Sequence, residues 1–291
     1  MQTSPKKKYT NANMSPNTNT YTGMVVLIFV HLYCLTLLTS SESELIECIP
    51  SEREALLRFK HHLTDPTNRL CSWNASNSNC CHWDYVVCSH LTFHILQLHL
   101  NTTIPSEYDE YPFPIDYFAF QRSRFSGAIN DSLVELKHLN YLDLSGNSFG
   151  GMQFPTFLFR ITSLTHLDLS DSGFYGNIPH QIGNLSNFLY LDLSYHINGI
   201  IPHQIGNLTN LVHLGLQSYS NESLIVENAD WLLGLTSLEY LDLSGVDQSK
   251  SFNWLHTMQA LPAFSQHFCC SQVDISVEQT CFSCMLSNLL L

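Results

Sequence analysis

The octapeptide IPHQIGNL occurs twice, at Ile178–Leu185 and at Ile201–Leu208, a return after 23 residues. A wider pattern surrounds it: LNYLDLSGN from Leu139, LTHLDLSDS from Leu164, FLYLDLSYH from Phe188, LVHLGLQSY from Leu211 and LEYLDLSGV from Leu238, at spacings of 25, 24, 23 and 27. A degenerate first copy, ILQLHL, starts at Ile95. A short strand that shows one apolar side every two dozen residues cannot bury that side alone, so successive units must stack. Along each strand the leucines of L-x-x-L-x-L point inward and the intervening residues outward, because side chains alternate.

This period and motif are those of a leucine-rich repeat. The fold expected is α/β: a curved leucine-rich-repeat solenoid with a parallel β-sheet on its concave face. About six repeats fill residues 91–262, with an insertion at 101–124 where the first two copies stand 44 residues apart. The insertion carries EYDEYPFPIDYF, Glu107–Phe118, acidic and Tyr-rich, and reads as a surface loop or a partner contact.

Stacking the copies places the outward positions in columns about 4.8 Å apart. One column is Tyr141, His166, Tyr190, His213 and Tyr240; beside it run Asp143, Asp168, Asp192, Gly215 and Asp242, and then Ser145, Ser170, Ser194, Gln217 and Ser244. Aromatic faces beside carboxylates suit a peptide with cationic side chains or a glycan that stacks on rings. The same residues also serve as ordinary repeat consensus that solvates the sheet. Stacked carboxylates are expected to titrate above isolated Asp, and His166 and His213, flanked by Asp, to stay protonated in mildly acidic surroundings.

Residues 44–90 form a cysteine-bearing cap. Ser51 and Glu54 have capping-box spacing after Pro50, and Leu56, Phe59 and Leu63 share one face of a short helix. Cys80 and Cys81 are adjacent and resist bonding to each other. The natural pairing is Cys48 with Cys80, which ties the helix down, and Cys81 with Cys88, which closes a small loop. Trp73 and Trp83 cover the apolar end of the stack. Cys71 is left over and reads as a buried free thiol.

Composition narrows the function classes. The chain of 291 residues is 44% apolar and 13% charged, too apolar for disorder, and its net charge of −13 without a basic patch argues against nucleic acid and anionic lipid as partners. Residues 1–43 read as a leader with a signal-peptide apolar run at 24–38, cleaved between Ser40 and Ser43, with Met24 as an alternative start. An uncleaved anchor is the rival reading. No stretch after the leader is long enough to span a bilayer. A leader and ten cysteines fit the secretory pathway and an extracellular destination. N-x-S/T acceptors stand at Asn74, Asn101, Asn130, Asn184, Asn207 and Asn221, with Asn184 and Asn207 in the same slot of successive return segments. No nucleophile–base pair, phosphate-cradling loop or cofactor motif stands apart from the repeat, so neither enzyme activity nor a cofactor is expected.

GNIPHQIGNL at Gly176 and GIIPHQIGNL at Gly199 carry the plant-specific G-x-I-P segment. With the cap pattern C-x-x-x-E-R-x-A-L-L-x-F-K, then S-W, then C-C-x-W, with FQRSRFSG at Phe120 and with VENADWLLGLTSLEYLDLS at Val226–Ser244, the chain resembles the ectodomains of plant leucine-rich-repeat receptor-like proteins that perceive fungal xylanase and other elicitors. The resemblance spans about Glu47 to Pro262. It implies a non-catalytic module that binds a peptide, protein or glycan ligand, with a co-receptor kinase to signal and a plasma-membrane setting for full-length members. A secreted inhibitor of a cell-wall-degrading enzyme, similar to polygalacturonase inhibitors, is the alternative, as is a non-functional truncated product.

The chain departs from that family at four places. Tyr85 stands where the family has Gly, Cys71 where it has Ser or Leu, and the repeat Asn survives only at Asn147, with Ser172, His196, Tyr219 and Val246 at its equivalents. The leucine pattern stops after Leu261-Pro262, and 263–291 reads either as an aberrant tail or as an end cap stapled by Cys269, Cys270, Cys281 and Cys284. Cys281-x-x-Cys284 has zinc spacing but no His at ligand distance in sequence, so no metal is expected.

Overall fold

The computed structural model describes residues 48–103, 115–195, 197–218, 224–251, 253, 256–257 and 267–269. The chain divides after Ile46, and every described residue lies in the second unit, Glu47–Leu291. The signal-peptide run, most of the acidic insertion, His196, Tyr219, Asn221, Cys270, Cys281 and Cys284 lie outside the described residues.

The cap begins with helix α1, Pro50–His61. Pro50 occupies its first turn, where a missing N–H costs nothing, and Arg58, Lys60 and His61 crowd the last turn, where the helix dipole favours positive charge. The expected capping box does not form. Ile49 is the N-cap and no side chain caps the helix, because Pro50 starts it one residue early and draws Ser51 inside. Glu54 instead pairs with Arg53 at 2.9 Å. Leu56 and Phe59 are buried as expected, but Leu63 is off the helix, half-buried in the two-residue strand β1, Leu63–Thr64.

Cys48 bonds to Cys80 and Cys81 to Cys88, with Cα separations of 5.3 and 5.5 Å. Trp73 and Trp83 are buried and stacked with centroids 5.6 Å apart, and Trp73 Nε1 donates to the Asp84 carbonyl at 2.7 Å. Cys71 is free but exposed, not buried. It rides on a turn whose neighbours Leu70 and Trp73 take the core positions.

The repeats build one eight-stranded sheet. Strands β2 (Val86–Cys88) and β3 (Ile95–His99) form an antiparallel pair that starts it. Parallel strands β5 (Tyr141–Asp143), β6 (His166–Asp168), β7 (Tyr190–Asp192), β9 (His213–Gly215) and β11 (Tyr240–Asp242) follow in spatial order. Small sheets flank it: β4 (Ser126–Gly127) pairs with β1, and β8 (Gly199–Ile200) with β10 (Leu224–Ile225). Leu98, Leu142, Leu167, Leu191, Leu214 and Leu241 stand side by side in register and are all buried.

Parallel strands need a crossover, and here each one contains a five-residue 3₁₀ turn. His180–Asn184, His203–Asn207 and Asp230–Gly234 are examples, burying Ile182, Ile205 and Leu232 respectively. Ile201 and Val226 fill the space between turns and sheet, so the interior is a continuous apolar column. The inserted segment ends in helix α2, Ile115–Ser123, which buries Phe120.

The sheet does not end where the leucine pattern lapses. Strand β12, His267–Cys269, pairs in parallel with β11 and keeps the register, His267 beside Tyr240. Backbone pairing propagates the ladder even where the sequence no longer spells the repeat.

Candidate functional site

The outward positions of the strands form a ladder of rings. Tyr141, His166, Tyr190, His213 and Tyr240 stack in order, with successive centroids 3.9, 4.0, 4.1 and 4.1 Å apart and interplanar angles of 13°, 13°, 10° and 2°. The strand spacing sets this: side chains held about 4.8 Å apart in register need only a small tilt to meet face to face. Two consequences follow. The faces of the inner rings are covered by one another, so stacking of a sugar or a cation on those faces, expected from the sequence, is blocked. What remains is the ring edges, phenols alternating with imidazoles, with the His213 Nε2 buried.

The carboxylate row lies alongside. Oδ1 of Asp143, Asp168, Asp192 and Asp242 accepts the backbone N–H two residues on, at Ser145, Ser170, Ser194 and Ser244, at 2.8–2.9 Å. Ser145 and Ser170 hydroxyls donate to the same oxygens at 2.7 and 2.6 Å. Each Asp therefore ends its strand with one oxygen; Asp168, Asp192 and Asp242 are half-buried and Asp143 is buried. Oδ2 of Asp168 accepts from the Tyr190 hydroxyl at 3.3 Å, and Oδ2 of Asp192 stands 3.7 Å from His213 Nε2. Gly215 interrupts the row, and Asp192 leans into the gap: a Cβ on Gly215 would lie 2.4 Å from the Asp192 Cγ. Among the described residues no Lys or Arg forms an ion pair with these four carboxylates.

Electrostatics only partly follow the expectation. Burial lifts the Asp168 carboxyl to about 6 against the hydrogen bonds from Ser170, with Asp192 and Asp143 adding to the rise. His166, expected to stay protonated, does the reverse. Burial, with His213 and His99 nearby, lowers it to about 4, because the stack leaves little water for an imidazolium and the adjacent imidazoles repel one. Burial and then the flanking carboxylates push the Tyr141 and Tyr190 phenols up, so both remain hydrogen-bond donors.

The ladder extends further toward the cap than the repeat motif suggested. His99 from β3 adds its ring 4.4 Å from Tyr141, and its backbone N–H donates to the Tyr85 carbonyl. Tyr85 and Val87 lie on the same sheet side and are exposed. Tyr85 adopts φ 67°, the left-handed conformation that favours the family's Gly, and its ring lies under the Arg69 guanidinium at 5.0 Å. The degenerate copy ILQLHL contained the signal for His99; the hairpin that brings Tyr85 alongside had none.

Of the glycan acceptors, Asn184 and Asn207 are exposed at matching ends of successive 3₁₀ turns. Asn74 Nδ2 donates to the Cys71 and Ser72 carbonyls, and Asn130 Nδ2 donates to the Arg58 carbonyl and lies 2.8 Å from His62 Nδ1. Asn101 is half-buried. The sulfurs of Cys48, Cys80 and Cys81 cluster, but all three are in disulfides.

Comparison with known proteins agrees with this architecture. Residues 49–89 match the leucine rich repeat N-terminal domain and residues 122–290 the leucine-rich repeat region. Receptor-like protein EIX1 of Solanum lycopersicum is 34% identical over 221 residues, covering 75% of this chain and 18% of that protein. Receptor-like protein EIX2 of the same species is 38% identical over 146 residues, 50% of this chain and 13% of that protein. The chain thus spans less than a fifth of the length of these relatives. The ectodomain of the Arabidopsis receptor kinase HAESA, crystallised with the peptide hormone IDA and the co-receptor SERK1, shares the fold at a TM-score of 0.54 and 23% identity, over 67% of this chain and 29% of that one. The chain belongs to the leucine-rich-repeat proteins, with the cap and repeats of the plant receptor-like proteins.

Proposed function

We propose that the chain is an extracellular, non-catalytic recognition module of the receptor-like type, serving defence or elicitor perception, and that its ring ladder and Asp row receive an extended peptide bearing cationic side chains. One observation carries this reading. Four carboxylates stand in register at Asp143, Asp168, Asp192 and Asp242, beside a strip of ring edges, with no Lys or Arg among the described residues to neutralise them. A peptide laid along the strip would meet a carboxylate on each of these strands except β9, where Gly215 stands, and ring edges between. A co-receptor kinase would supply signalling. Exposed Asn184 and Asn207 are the glycan sites favoured by the geometry, since neither side chain is tied to a neighbour.

Substituting Asp192→Asn and Asp242→Asn tests the reading. Asn keeps the Oδ1 acceptor that ends each strand and removes only the charge. Binding of Lys- and Arg-containing peptides, measured by surface plasmon resonance on the secreted chain, should weaken about threefold to fivefold per substitution and fall further with added salt. Unchanged, salt-independent binding would exclude the sheet face as the site.

A further inference from the structure

The segment FQRSRFSG, Phe120–Gly127, buries Phe120 and Phe125 in the core and lines a cleft of about 500 Å³ with its polar residues. Gln121, Arg122, Arg124, Ser126, Ser148 and Thr67, from the turn after β1, line it. Among the described residues no acidic side chain lines it, in a chain whose net charge is −13. The walls are held by backbone. Strand β4 pairs with β1, Ser126 bridges to Ser148, and the Ser148 N–H donates to the Phe125 carbonyl at 2.8 Å.

The two arginines differ. Arg124 is anchored: its guanidinium donates to the Asn147 and Asp171 carbonyls and pairs with the Asp171 carboxylate at 3.3 Å. Arg122 is exposed and, among the described residues, has neither an ion-pair nor a hydrogen-bond partner. Asp171 offsets the Arg124 charge, so the local positive potential is that of the unpaired Arg122, whose planar donor fork matches a carboxylate. Thr67, Ser126 and Ser148 add neutral hydrogen-bonding groups to the lining. The volume falls within the range of small-ligand sites and is far larger than a bare oxyanion needs.

We propose that this cleft binds an acidic sugar residue, a uronate, with its carboxylate on Arg122 and its ring hydroxyls on Thr67, Ser126 and Ser148. The site is independent of the sheet face and stands or falls without it.

The test uses the secreted full chain with digalacturonate, galactose and sodium sulfate as probes, followed by saturation-transfer NMR and calorimetry. Digalacturonate should bind and galactose should not. Arg122→Gln should weaken digalacturonate binding about tenfold or more while leaving the thermal midpoint unchanged, since among the described residues Arg122 has no ion-pair or hydrogen-bond partner. Asp192→Asn should leave this binding intact. Absence of binding to the wild type, equal binding by Arg122→Gln, or equal affinity for galactose would overturn the proposal. Displacement of digalacturonate by equimolar sulfate would overturn it too, since a peptide sulfate or any simple anion would then serve as well.

Discussion

Asn147 is the polar centre of its turn and the most heavily committed side chain in the interior. Its Nδ2 donates to the Leu100 and Leu144 carbonyls at 2.8 Å, and its Oδ1 accepts from the Thr102 hydroxyl and the Phe125 N–H at 2.9 and 3.0 Å. Those bonds bridge the inserted segment from both ends. Ser172, at the equivalent place one repeat on, donates to the Leu169 carbonyl from its hydroxyl. Replacing Asn147 with Ala should cost about 3 kcal/mol in urea melts, because buried backbone groups lose their partners and find no water. Asp168 and His166 make a second pair of single-residue effects with opposite signs. Between about 4 and about 6 the folded chain holds a proton on Asp168 that the unfolded chain has released, so this group's contribution to stability falls as pH rises. For His166, between about 4 and its ordinary 6.5, the unfolded chain holds the extra proton, so its contribution rises with pH. The two offset each other in the wild type. Relative to wild type, the thermal midpoint of Asp168→Asn should climb from pH 4 to 6, and that of His166→Gln should fall from pH 4 to 6.5. Parallel curves for all three proteins would refute the assignment.

Stacked elements depend on close backbone approach. Gly206 lies in the 3₁₀ turn His203–Asn207, and a Cβ there would come 2.6 Å from the Trp231 carbonyl oxygen of the next turn. Gly206→Ala must therefore push two coils apart, at about 1–3 kcal/mol by thermal melting; an unchanged midpoint would mean the turns are loosely packed. The repeated IPHQIGNL already told of two identical turns, and the leucine spacing of the strands on one face. What the repeat text did not disclose was how the rings of different strands would meet. Tyr141 and His166 are 25 residues apart, and only the register of β5 with β6 brings their rings to 3.9 Å. The helix start was misread for a local reason: Ser51 and Glu54 have the right spacing, but Pro50 preempts the first turn.

The cap and the repeats share one interior, and the joint between them is polar as well as apolar. Glu52 is buried, accepting from His94 Nδ1 and the Ile95 N–H, both at 2.7 Å, while the Ser132 hydroxyl donates to the Ala55 carbonyl. A quasi-one-dimensional stack depends on each neighbour, so damage at the cap should spread inward. Replacing Cys48 and Cys80 together with Ser should lower stability by about 3 kcal/mol. In hydrogen exchange, Ile95–His99 should lose protection before Tyr240–Asp242 does. Uniform loss along the sheet would show a single cooperative unit instead.

Periodicity alone determined the repeat, the inward leucines and the outward columns, because a strand's alternation and a two-dozen-residue return leave no other way to bury those side chains. Cysteine order likewise sufficed for the cap pairings. Tertiary structure decided the rest. It closed the ring faces that the sequence offered to a ligand, turned Cys71 outward, took the proton from His166 and left one on Asp168 up to about pH 6. It also added a strand past Pro262 and brought Thr67 and Ser148 to the cleft that Arg122 and Arg124 line. Stacking, burial and charge proximity act between residues distant in the chain, and no local pattern encodes them.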